Sequence, residues 1–244
     1  MIDYKEIFDY PLLTEVILDI RFPTKLGMVK FLPEFQEKIE KYFPKLKVLN
    51  VQTMKISDRQ ESEILHDKVW EFSNPEDQTV CKIFNNKFVL LSNKYTSWEK
   101  NKSVLGFKDI ISLTLPEFLK IVPIKEFERI GLRFINKIEV EENNSNWFSN
   151  LFIPLFNLKK YSIENLKENY VRLIVQKEME IQLIIQTVFI FENNKKYYIL
   201  DLDAYLRNIG IDEADDKFEL SHEVILKEFH SLITEECRNK MRGK

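Results

Sequence analysis

The chain has 244 residues, 44% hydrophobic and 31% charged, enough for one large domain or two small ones. Its 36 Lys and Arg against 39 Asp and Glu leave a formal charge of -3, which excludes a general attraction to nucleic-acid phosphates and argues against a nucleic-acid partner. No apolar run approaches the roughly 20 residues of a membrane helix, and the opening Met1-Ile2-Asp3-Tyr4-Lys5-Glu6 lacks the basic and apolar parts of a secretion signal. The chain is therefore expected to be soluble, without a membrane partner, and cytoplasmic.

From the N-terminus, residues 14–22 are rich in branched and aromatic side chains and stop at Pro23, which cannot donate to a sheet ladder, so they read as a strand. Met28, Phe31, Leu32, Phe35, Ile39 and Tyr42 recur at three- and four-residue steps, with Lys30, Glu34, Lys38 and Lys41 opposite, and predict an amphipathic helix. Strands are expected over 47–57, 68–73, 79–84 and 87–92, an antiparallel meander punctuated by Asn-Pro and Asn-Asn. Residues 103–122 have a helical pattern, as one helix or two, because Thr114 and Glu117 have capping-box spacing and Pro116 suits a helix start. A long strand over 126–140, a short helix over 147–158, strands over 169–177, 179–191 and 195–203, and a final helix over 220–241 complete the reading.

Several chemistries lose their support. The five glycines, Gly27, Gly106, Gly131, Gly210 and Gly243, are too dispersed for a phosphate loop or dinucleotide fingerprint. There is no His-Glu-x-x-His, Cys-x-x-Cys or Gly-x-Ser-x-Gly. His222 and His230, eight residues apart, would lie about 80° apart around a helix axis and read as solvated or half-buried rather than chelating. Cys81 and Cys237 have no partner motif and read as reduced and structural, Cys237 continuing the stripe of Ile225, Phe229 and Ile233. The sequence implies no metal, no cofactor and no catalytic residue.

An internal repeat is the clearest organisational signal. Ile20-Arg21-Phe22-Pro23-Thr24-Lys25 resembles Leu132-Arg133-Phe134-Ile135-Asn136-Lys137 at an offset of 133 minus 21, or 112 residues. Asn85-Asn86-Lys87 has a counterpart in Asn193-Asn194-Lys195 at 108. The expected fold is α+β: one domain of two pseudo-repeats, about 1–122 and 123–244, each strand, helix, antiparallel strands and helix, forming one curved antiparallel sheet with helices on one side. Such a layout resembles the saddle of the TATA-binding-protein fold and, less closely, helix-grip domains. Fold likeness does not carry function with it.

Pro11-Leu12-Leu13-Thr14-Glu15-Val16-Ile17-Leu18-Asp19-Ile20-Arg21-Phe22-Pro23 and Arg129-Ile130-Gly131-Leu132-Arg133-Phe134-Ile135-Asn136 together resemble a sporadically distributed bacterial family of unknown function. Trp70-Glu71-Phe72, Tyr95-Thr96-Ser97-Trp98 and Asp201-Leu202-Asp203 belong to the same resemblance, while Glu99-Lys100-Asn101-Lys102 is more polar than its pattern. The resemblance implies no activity or cofactor and is compatible with an accessory or defence-associated role.

Strand alternation sets the candidate residues. Glu15, Asp19 and Arg21 share one face opposite Val16, Leu18, Ile20 and Phe22; Arg129, Arg133 and Lys137 share another opposite Ile130, Leu132 and Phe134. Asp201 and Asp203 also point together, at a spacing suited to Mg²⁺ or acid–base work or to an ordinary strand exit. Arg21 and Arg133 could grip a partner's carboxylates or phosphates, or pair with in-chain acids as in any half-exposed sheet. Trp70, Tyr95 and Trp98 suit an aromatic platform or a core. The first functional reading is a non-enzymatic module that binds another protein on the helix-free sheet face. The alternative is a small-molecule or nucleotide sensor or enzyme built on Arg21, Arg133, Asp201 and Asp203.

Overall fold

The computed structural model describes residues 4, 6–56, 62–95, 97–101, 104–140, 147–155 and 169–244. The expected strand end at 57, the helix start at 103, the helical positions 156–158 and Thr96 of the aromatic segment lie outside the described residues. The strands are β1 (Leu13–Arg21), β2 (Lys45–Ile56), β3 (Ser62–Ser73), β4 (Thr79–Ile83), β5 (Lys87–Ser92), β6 (Glu126–Glu139), β7 (Asn169–Gln176), β8 (Gln182–Glu192) and β9 (Lys195–Gly210). The helices among the described residues are α1 (Leu32–Ile39), α2 (Phe107–Ile121), α3 (Trp147–Leu151), α4 (Ala214–Leu232) and α5 (Glu235–Met241). The fold is α+β, with one open antiparallel sheet in the order β2-β3-β4-β5-β1-β6-β9-β8-β7. Among the described residues no helix is long and apolar enough to cross a membrane.

Contacts divide the chain into an N-proximal unit (Ile17–Ile130 and Arg207–Asp212) and a C-proximal unit (Met1–Val16, Gly131–Leu206 and Glu213–Lys244). In the N-proximal unit, alternation leaves Leu18 and Ile20 of β1, Cys81 and Ile83 of β4, and Phe88 and Leu90 of β5 fully buried. The Phe118 ring of α2 lies 5.8, 5.5 and 5.2 Å from those of Phe22, Phe35 and Phe88, and Phe35 meets Phe72 edge-on at 5.7 Å. Each such ring contributes about 1.5–3 kcal/mol through burial alone.

Residues 107–121 form a single helix, not two. Pro116 is exposed inside it, while Phe107, Ile111, Leu115 and Phe118 carry one buried stripe past it. That burial outweighs the roughly 3 kcal/mol a helix-interior proline costs. Thr114 does not cap; its hydroxyl donates back to the Ile110 carbonyl at 2.8 Å. The helix starts where the Asp109 carboxylate accepts the Gly106 N–H at 2.8 Å, and Gly106 is the one residue that fits: a Cβ there would sit 2.4 Å from the Trp98 carbonyl oxygen.

In the C-proximal unit, β8 buries Leu183, Ile185, Thr187 and Phe189 and leaves the side chains between them half-buried. Phe148 meets Tyr198 edge-on at 5.0 Å and Phe152 meets it at a tilt at 4.6 Å. Asn193 and Asn194 take φ of 51° and 61° between β8 and β9, the double left-handed geometry of a two-residue hairpin turn, which Asn tolerates. β9 runs on to Gly210, seven residues past the expected end at Asp203.

The expected terminal helix is two. Ile233 is extended and bridges Phe152, and Thr234 caps α5 by accepting the Cys237 N–H at 3.2 Å. The histidines also depart from expectation, for both are buried: His222 packs 5.8 Å from Phe134, and the His230 carbonyl accepts a 2.6 Å bond from Arg238. Cys81 and Cys237 are free and buried, and burial raises both thiol pKa values, that of Cys237 to about 12. Arg242 donates from Nε and Nη2 to both oxygens of Glu6 at 2.6 Å, fastening the start of the unit to its last helix.

Two outcomes follow. Gly106→Ala is expected to cost about 1–3 kcal/mol, because backbone must move to admit the methyl group; the unfolding midpoint in urea reads this, and an unchanged midpoint would refute the tight fit. The hydrogen bonds from Arg242 hold the Glu6 carboxyl below its ordinary value. A depressed folded pKa contributes stability that is present above the unfolded value and lost as pH falls through the folded one. Melting temperatures followed into acid should therefore fall more steeply for the wild type than for Glu6→Gln; parallel curves would show that the clamp adds nothing.

Candidate functional site

The predicted polar residues form two ionic clusters, one in each unit. In the N-proximal cluster the Asp19 carboxylate is shared by three cations. Arg21 Nε and Arg129 Nη1 each donate to Oδ1 at 2.9 Å, and Lys87 Nζ stands 3.7 Å from Oδ2. Asp19 and Arg129 have side chains only 19% and 12% exposed, while that of Arg21 is 53% exposed. On the neighbouring strands Glu71 and Lys82, register partners of β3 and β4, pair with each other at 3.0 Å.

The C-proximal cluster is centred on Arg133 and Asp201. Arg133 Nε and Nη2 donate to the two oxygens of buried Asp201 at 2.8 and 2.6 Å, a planar bidentate pair. Gln186, opposite Asp201 in the ladder, donates Nε2 to Oδ2 at 3.2 Å and accepts the Tyr170 hydroxyl at 3.2 Å. The hydrogen bonds that Arg133 donates to Asp201 raise the Arg133 pKa against partial burial, with Asp203 and Glu15 adding to the field.

Asp201 is therefore an acceptor for Arg133 and Gln186, and its carboxylate is engaged on both oxygens. Among the described residues no group of three or more His, Cys, Asp or Glu is placed to hold a metal ion. Trp70 and Trp98 are buried at 8% and 7% exposure, core residues and not a platform.

Sequence reasoning missed a hollow in the N-proximal unit of about 490 Å³. Tyr42 and Phe43 line it after α1, Phe107, Ile110 and Leu113 along α2, and Tyr95 between β5 and α2. Thr79 and Ser92, register partners at the ends of β4 and β5, bring a buried hydroxyl pair at 3.1 Å to its wall. The signal was in the alternation: Thr79 follows the parity of Cys81 and Ile83, and Ser92 that of Phe88 and Leu90, so two polar residues end two otherwise apolar faces.

Asp201→Asn, which preserves shape and removes the charge, is expected to destabilise by about 1–2 kcal/mol, between the ranges for surface ion pairs and for hydrogen bonds to charged groups. A double-mutant cycle with Arg133→Gln in urea unfolding checks this, and additive losses would show that the two side chains are energetically independent. No protein-family model matches the chain, and no curated protein matches it either.

Proposed function

We propose that the chain is a non-enzymatic recognition module of the bacterial family it resembles, and that it binds an acidic segment of a partner protein on the polar face of the N-proximal unit. The observation that carries this reading is the convergence of Arg21, Arg129 and Lys87 on one carboxylate. In a chain of net charge -3, a half-exposed arginine is a local attractor for anionic groups, and Arg21, with its side chain 53% exposed, can reach a second carboxylate. The rival reading, a ligand pocket on Arg21, Arg133, Asp201 and Asp203, has less support, because the Arg133 fork is already taken by Asp201.

The proposed architecture is a duplication with halves near 1–122 and 123–244. The strand order supports it: outward from β1 come β5, β4, β3 and β2, and outward from β6 come β9, β8 and β7. Each half opens on its innermost strand, passes through a helix, returns from the sheet edge, and ends in helix. This order favours the TATA-binding-protein type of saddle over the helix-grip arrangement.

A glutamate-rich peptide immobilised on a column tests the functional reading. The wild-type chain should be retained at low salt and released as ionic strength rises. Arg21→Glu with Lys87→Glu should lose at least tenfold in retention while melting within a few degrees of wild type. Equal retention of both proteins would defeat the proposal.

A further inference from the structure

We propose that the hollow of the N-proximal unit binds a small organic acid with a flat apolar body and one carboxylate. This goes beyond the partner-binding face, whose residues Arg21, Lys87 and Arg129 take no part in the hollow. Its volume, about 490 Å³, is within the range of small-molecule sites.

The body of the ligand is specified by the walls. Four rings, from Tyr42, Phe43, Tyr95 and Phe107, face it together with Ile110 and Leu113. Val104 and Leu105 leave an apolar lip that is 51% and 38% exposed. Aromatic walls favour a flat partner that can stack or meet them edge-on.

The head group is specified by the charges and the hydroxyls. Lys41 and Lys94, both exposed, and Glu76 are the charged side chains of the lining. Glu76 already accepts a 3.0 Å bond from Asn74 Nδ2. The lining therefore carries one net positive charge, which matches a monoanion better than a polyphosphate. Two lysine point charges at the rim suit a single carboxylate without demanding the planar fork of an arginine. Deeper in, Thr79 and Ser92 hold two hydroxyl protons between them. Their mutual bond uses one, and Ser92 Oγ also accepts the Lys94 N–H at 3.4 Å. The second proton is left to donate to a ligand oxygen. Burial raises the pKa of Tyr95, so its phenol keeps its proton at neutral pH.

Naphthalene-2-carboxylate, with naphthalene-2-methanol as its neutral match, is the probe. Titrated calorimetrically into the whole chain, the carboxylate should bind, raise the melting temperature, and outbind the alcohol at least tenfold. Leu113→Trp, which fills the hollow with an indole, should abolish the heat. Lys41→Gln with Lys94→Gln, both at exposed positions, should weaken the carboxylate at least tenfold and leave the alcohol unchanged; if the tryptophan variant does not fold, this pair decides. Arg21→Glu with Lys87→Glu should bind the probe as wild type does, which separates this site from the partner-binding face. Absence of binding, equal affinity for acid and alcohol, or full binding by Leu113→Trp would each overturn the proposal.

Discussion

A β-strand sends successive side chains to opposite faces, and this chain gives one of those faces to aromatic and branched residues along strand after strand. Once Leu18 and Ile20, Cys81 and Ile83, and Phe88 and Leu90 are committed to the buried side, their neighbours Asp19, Lys82 and Lys87 have no choice of direction. A slip of one residue would bury those charges and expose the rings, so register is enforced by a desolvation penalty and not by any single contact. In the C-proximal unit, Leu183, Ile185 and Phe189 place Gln186 on the other face in the same way, beside its register partner Asp201.

The charges that alternation leaves outside are not distributed evenly. Near Asp19 three cations approach one carboxylate, and near Arg133 one guanidinium takes both oxygens of Asp201. Individually, exposed pairs of this kind contribute about 0–1 kcal/mol, too little to explain a fold. Their effect is on what each face attracts. Arg133 is held in one orientation by a bidentate bond to a buried carboxylate, whereas Arg21 makes a single bond and stays half exposed. Of Arg133 and Arg21, the first is a fixed part of its own unit's surface and the second retains donors toward solvent.

Most elements were legible because the hydrophobic period changes cleanly between two and three-to-four residues along the chain. Where the reading fell short, an interaction distant in sequence supplied what local pattern did not. The segment before Lys68 reads as charged and loop-like, yet β3 starts at Ser62 because β2 is there to pair with it, Ile56 against Ser62. β9 does not stop at Asp203 because Ala204, Tyr205 and Leu206 are all buried. Thr234 carried a readable cap signal, with Glu235 and Glu236 following it, but the apolar stripe across Ile233 and Cys237 masked the break. Both terminal histidines were misplaced for a related reason: a helix position says how side chains are spaced, and only the packed neighbours, Phe134 and Arg238, say that water is excluded. The candidate ionic residues were readable by parity, while their pairing depended on which strands lie side by side.

The hollow of about 490 Å³ opens to solvent past exposed Lys41, Glu76, Lys94 and Val104. Collapse is resisted because its walls are fastened by bonds that do not involve the space itself. On one side, Asn74 Oδ1 accepts the N–H groups of Gln78 and Thr79 at 2.8 and 3.0 Å, and Asp77 ties Ser73 to Lys45. On the other, the carbonyls of Ser97 and Trp98 accept the N–H groups of Phe107 and Lys108 at 3.0 and 2.8 Å, an approach that only the bare Gly106 permits. With both rims fixed, α2 cannot settle further onto β4 and β5 without breaking backbone bonds. The two hydroxyls at their ends stand buried at the wall of the hollow. Packing in this unit is therefore set by the turn at Asn74 and the entry to α2 as much as by the rings around Phe118, and the space left between them follows from that geometry.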